Sequence, residues 1–68
     1  MKKYTNEDFR DEIERAIKSY EENKPYHIFS LDDIANKIDW CWKWRKITKA
    51  QMENFADRVT ALYDEGRH

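Results

Sequence analysis

Three hydroxyl residues, Thr5, Ser30 and Thr48, each stand directly before a run in which apolar side chains recur at helical spacing. A serine or threonine in that place accepts a hydrogen bond from a backbone N–H that the first turn of a helix leaves unpaired. Three caps before three stripes therefore predict three amphipathic helices. With one glycine and one proline in 68 residues, little in the chain interrupts them.

The first stripe is Phe9, Ile13, Ala16, Ile17 and Tyr20, and Asp8 lies where a capping box needs its acid, three residues after Thr5. A helix over about 6–22 follows, with Glu7, Asp8, Asp11 and Glu12 complementing the positive end of its dipole. Asn23-Lys24-Pro25 ends it, because the residue before proline disfavours helical geometry and asparagine tolerates the cap position. Tyr26 to Phe29 is short, β-branched and aromatic, which fits one extended segment over 26–29. Ser30 then opens Leu31, Ile34, Ala35 and Ile38, a helix over about 31–40. Beyond it two periods compete. Trp40, Trp42 and Trp44 alternate as on a strand, while Ile38, Cys41, Trp42 and Arg45 fit continued helix, so the helix is expected to fray between 40 and 45. Thr48 with Gln51 makes a second capping box, and Met52, Phe55, Ala56, Val59, Leu62 and Tyr63 form a helix over about 49–64 that ends at Gly66.

The expected fold is all-α, one compact three-helix domain over 1–68, with Phe9, Ile13, Ile17, Ile34, Ile38, Phe55, Val59 and Leu62 in a single core. A chain of this size buries only about 60% of the surface it exposes when unfolded. Its stability should be about 3–5 kcal/mol. Charged residues make up 40% of the chain and the mean hydropathy is −1.14, values that lean towards disorder, but 15% aromatic content supplies a core. The single Cys41 excludes an intrachain disulfide. No apolar run is long enough for a signal peptide or a membrane span, so the expected location is cytoplasmic. The opening Met-Lys-Lys-Tyr reads as a native start.

Function is expected in the segment Trp40 to Met52, which holds all three tryptophans and four cations, Lys43, Arg45, Lys46 and Lys49, with no acid. The rest of the chain then carries −5 against a net charge of −1. Aromatic surface beside sorted positive charge suits a nucleic acid or an acidic protein surface. Both features also have a plain structural explanation. The tryptophans close the end of a small core, and the cations pair with Glu7, Asp11 and Glu14 on the first helix. Catalysis is not expected. His27, Cys41 and His68 match no zinc spacing, no group orients Cys41 and His27 as nucleophile and base, and no glycine-rich loop cradles phosphate. No metal or cofactor is called for.

The order of helix, short segment, Phe29 to Ile38, loop, and a third helix closing on Leu62-Tyr-Asp-Glu-Gly66 resembles the front of a winged helix-turn-helix domain. Asp57-Arg-Val, Leu62-Tyr63 and Gly66-Arg67 are similar to positions in the winged N-terminal domain of the delta subunit of bacterial RNA polymerase. Two departures stand out: no residues follow His68 to build a wing, and Asp39 to Ile47 is longer than the turn of about 3–4 residues in a compact helix-turn-helix. The resemblance implies a small regulator of double-stranded DNA, with Thr48, Lys49 and Gln51 at the major groove, Lys43, Arg45 and Lys46 beside the backbone, and a second subunit of a homodimer on the other half-site. The other class is a protein-binding inhibitor or adaptor of the kind phages and mobile elements encode. It would use Trp40, Trp42 and Trp44 against a host protein, with acidic helix 1 as a nucleic-acid mimic. A pI of about 6.1 is low for a free-standing DNA binder.

Overall fold

The computed structural model describes residues 5–66. Three helices account for most of them: α1, Asn6–Glu21; α2, Leu31–Lys43; and α3, Lys49–Asp64. All three starts are the expected caps. Thr5 Oγ1 accepts from the Asp8 N–H while the Asp8 carboxylate accepts from the Thr5 N–H, and Thr48 and Gln51 repeat the exchange. Ser30 Oγ accepts from the Asp33 N–H.

The helix ends explain the one boundary that the sequence left open. After α1, Asn23 takes φ 53, its N–H donates to the Tyr20 carbonyl, and the Lys24 N–H donates to the Ser19 carbonyl. That is a Schellman cap, with asparagine in the left-handed position. The same cap closes α2, where Arg45 takes φ 55, its N–H donates to the Trp42 carbonyl, and the Lys46 N–H donates to the Cys41 carbonyl at 2.7 Å. So α2 runs to Lys43, past the expected 40, and turns on an arginine where glycine or asparagine is usual. The connection to α3 shrinks to Trp44–Thr48. At the end of α3, Gly66 takes φ 75 and its N–H donates to the Tyr63 carbonyl.

Side-chain contacts set the directions of the helices. Phe9 meets Trp40, Glu12 pairs with Lys37, and the Tyr20 hydroxyl donates to the Phe29 carbonyl. As residue numbers rise on α1 they fall along α2, so the two are antiparallel neighbours. The Tyr63 hydroxyl, near the end of α3, donates to the Asp32 carboxylate in the first turn of α2, so α3 returns along α2. Arg58 joins α3 to α1, 2.6 Å from both Glu14 and Glu21.

Between the helices lie Ile13, Ala16, Ile17, Leu31, Ile34, Ile38, Cys41, Ile47, Phe55, Val59 and Leu62. Seven of the eight expected core residues are among them; Phe9 is half-buried and packs against the edge. Cys41 and Ile47 were not expected. Cys41 continues the Leu31, Ile34, Ile38 stripe, and its burial holds the last turn of α2 in place. No strand forms among the described residues. Over 26–29, Tyr26 and Ile28 are exposed and only Phe29 turns inward, since a lone extended segment has no partner for its backbone groups. Ser19 and His27 anchor this loop: the Ser19 hydroxyl lies 2.7 Å from the Ala16 carbonyl and 2.9 Å from His27 Nδ1, and the His27 ring stacks on Tyr20 at 3.8 Å.

Candidate functional site

The spacing of α2 places Asp33, Lys37, Trp40 and Trp44 along one edge, at intervals of three or four residues, facing the first half of α1. Phe9 rises from α1 to meet them. Its ring centroid lies 5.6 Å from that of Trp40, tilted by 41°, and Trp40 lies 6.2 Å from Trp44, tilted by 42°. Both separations suit tilted aromatic packing. The three rings form one continuous ridge. Trp40 remains 45% exposed and Trp44 64% exposed, while Trp42, one step around the helix, is half-buried. The alternation that looks like a strand in the sequence is, on a helix, a division between ridge and flank.

Beside the ridge, Phe9, Phe29, Asp33, Asn36, Lys37 and Trp40 line an open groove of about 540 Å³. Two ammonium groups cover ring faces in this region: Lys37 lies 4.8 Å from the Phe29 centroid and Lys46 lies 5.7 Å from the Phe9 centroid. Such contacts hold a lysine against an aromatic surface without removing its charge from water.

Of the expected site residues, Trp40, Trp44 and Lys43 stand at the end of the ridge with Trp42 on its flank, while Arg45 and Lys46 line a separate open groove of about 360 Å³ together with Asn6, Glu7, Arg10, Ile47, Thr48 and Gln51. Lys43 pairs with Asp39 at 3.2 Å, one turn earlier, and Arg45, exposed on its left-handed cap, has no ion pair among the described residues. Thr48, Lys49 and Gln51 lie at the start of α3. There the Thr48 and Gln51 side chains are turned onto each other's backbone, so the oxygens that a base edge would use already serve the cap. Lys49 is exposed, and the first turn of α3 contains no acid, unlike those of α1 and α2. Phe9, Phe29, Asp33, Asn36 and Lys37 belong to the site but lay outside the expected segment. Their signal in the sequence was the α1–α2 register, which no single stretch of chain reveals.

Among the described residues, the ion pairs of Glu7, Asp11 and Glu14 go to cations other than those of 43–49. Glu7 and Asp11 pair with Arg10, Glu12 with Lys37, and Glu14 with Arg58. The Arg58 guanidinium holds the Glu21 carboxyl below its ordinary value, and the two carboxylates in turn raise Arg58. At the far end of the bundle, the Asp32 carboxylate pushes the Tyr63 phenol up to about 12.

Cys41 is fully buried, and burial raises its thiol. His27 sits against Ser19 and Tyr20 at the other end of α1, so the Cys41 and His27 side chains are not brought together. Ser19 is buried at that same end of α1, its hydroxyl within hydrogen-bond reach of both the Ala16 carbonyl and His27 Nδ1. Among the described residues no cluster of three or more His, Cys, Asp or Glu side chains is placed to hold a metal ion, and no helix is long and apolar enough to cross a membrane. Arg67 and His68, the last residues of the resemblance and of the candidate ligands, lie outside the described residues.

Comparison with known proteins returns no match to a family model, a curated protein or a solved structure.

Proposed function

We propose that this chain is a non-catalytic protein-binding module that engages a partner protein through the Phe9–Trp40–Trp44 ridge and the groove beside it. One observation carries the reading. Two tryptophans stand 45% and 64% exposed on the same edge of one helix, seated on a third ring, in a domain too small to leave apolar surface in water without cost. Rigid, partly supported indoles beside Lys43 and Lys46, the latter over the Phe9 ring, have the composition of an interface hot spot. The α1 acids contribute less, because their ion pairs with Arg10, Lys37 and Arg58 leave little free charge for nucleic-acid mimicry.

Binding of duplex DNA is the second reading, favoured by the short Trp44–Thr48 connection and the acid-free start of α3. Against it stand the engaged Thr48 and Gln51 side chains and the return of α3 along α2. A compact helix-turn-helix splays its two helices by about 90–120°.

The test sets the wild-type chain against the double variant Trp40→Ala, Trp44→Ala, immobilised in parallel and exposed to extract of the source cells. A protein retained by the wild type and lost by the variant, with the two melts close together, is the expected result. The DNA reading replaces it if labelled duplex binds equally to both chains. In that case the log–log salt slope should fall by about one unit for Lys46→Ala or Lys49→Ala.

A further inference from the structure

The turn between α2 and α3 contains no residue that would stop the two helices from running on as one. From Tyr26 to Glu65 the chain has neither glycine nor proline, and the connection Trp44–Thr48 turns on Arg45, held at φ 55, where an L side chain crowds its own backbone. Across that turn the two core stripes keep one register. Leu31, Ile34, Ile38 and Cys41 on α2, and Met52, Phe55, Val59 and Leu62 on α3, are spaced alternately three and four residues apart, and Arg45 and Thr48 fill the two steps between them without a break. This is the heptad spacing of a helix that lays one continuous seam against a partner. The stripes also stand at equal distances on either side of the bond between Lys46 and Ile47, so a straight helix over 31–64 carries a seam that matches itself when a second copy is reversed.

We infer that the Trp44–Thr48 turn is a hinge, and that the chain has a second form in which α2 and α3 are one helix and two copies exchange α3. In that dimer the reversed helices, each about 50 Å long, run side by side, and α3 of each copy packs on α1 and α2 of the other. The core contacts between helices are remade between chains, and the pairs that join α3 to α1, Arg58 with Glu14 and Glu21, become bridges between copies. Only the hinge changes. Straightening it releases the strain at Arg45 and adds helix, but it gives up the Thr48–Gln51 capping box and the burial of Ile47, which is 5% exposed in the turn and stands on the outer side of a straight helix. These opposing changes are confined to a few residues, so concentration decides between the forms. Strained, short hinges of this kind favour exchange. Because α1 and α2 stay together, the exchanged dimer presents the Phe9–Trp40–Trp44 ridge twice. The inference does not depend on what that ridge binds.

Refolding from urea at about 1 mM and at about 1 μM, followed by sedimentation at a common dilution, tests it. Concentrated refolding should leave a slowly dissociating dimer that dilute refolding lacks. Arg45→Gly relieves the turn without straightening it and should weaken the dimer about tenfold. Arg45→Leu keeps the strain and places an apolar side chain in the seam, so it should strengthen the dimer by about the same factor. The arrangement is read with the double variant Asp32→Cys, Tyr63→Cys and a short bis-maleimide, because those two side chains meet across α2 and α3 while Cys41 is buried from the reagent. Cross-links should stay within one chain after dilute refolding and join two chains in the dimer. A wild type that refolds only to monomer at both concentrations overturns the hinge, as does a dimer whose cross-links remain within each chain or one that Arg45→Gly and Arg45→Leu affect alike.

Discussion

Arg45 occupies the left-handed region, where a side chain costs about 1–2 kcal/mol relative to glycine. Glycine loses more chain entropy on folding, so Arg45→Gly should give a net gain of about 0.5–1 kcal/mol in the monomer. Chemical denaturation of a dilute sample measures it, and a loss would mean that the guanidinium contributes more than the backbone strain costs. The tryptophans offer a second residue-scale check. Iodide should quench single-tryptophan variants in the order Trp44, Trp40, Trp42, following their exposure. Equal shielding of all three would remove the ridge. Tyr63 offers a third. Its pKa is raised by Asp32, so the contact stabilises the fold below the unfolded phenol's value of about 10 and is lost as pH rises through about 12. Ultraviolet titration should show Tyr63 ionising well above the unfolded phenol's value, and Asp32→Asn should bring it down.

Among the helices, starts were more legible than ends. Thr5, Ser30 and Thr48 announce their helices because a cap is a local bargain between one side chain and a neighbouring N–H. Thr48→Ala should accordingly cost about 1 kcal/mol, seen as a lower midpoint in urea. The end of α2 could not be read in the same way. Its left-handed residue is an arginine, and the feature that settles the matter, burial of Cys41 and Ile47 beneath α1 and α3, depends on residues distant in sequence. The α1–α3 seam was also hidden, since nothing near Arg58 points to Glu14 or Glu21. Arg58→Met should cost about 1–2 kcal/mol, a charged hydrogen-bond value reduced for partial exposure. Because the Glu21 carboxyl is held below 4.5, its share of this stability is present above that pH and lost as pH falls through the lowered value. Acid titration of the melt should therefore be shallower in the Arg58→Met variant.

Across the whole molecule, one core supports everything, and Phe55 is 3% exposed near its middle. Phe55→Ala should cost about 3–5 kcal/mol, comparable with the entire stability of so small a domain, and the variant should lack a cooperative thermal transition. The fold class was readable from hydrophobic spacing because each stripe has only one way to bury itself. The candidate site was half readable: the tryptophans and their cations stand together in sequence, but Phe9, Phe29 and Asp33 join them only through the antiparallel register of α1 on α2. That register has a kinetic consequence. Because each helix turns back on the one before it, the α1–α2 and α2–α3 seams can zip outward from the loops that join them to contacts such as Asp32–Tyr63, 31 residues apart, whereas the α1–α3 seam, typified by Arg58 and Glu21, 37 residues apart, has no joining loop to start from. A chain wired in this way has low contact order and little loop entropy to overcome before contacts reward it, so it should refold within microseconds to milliseconds.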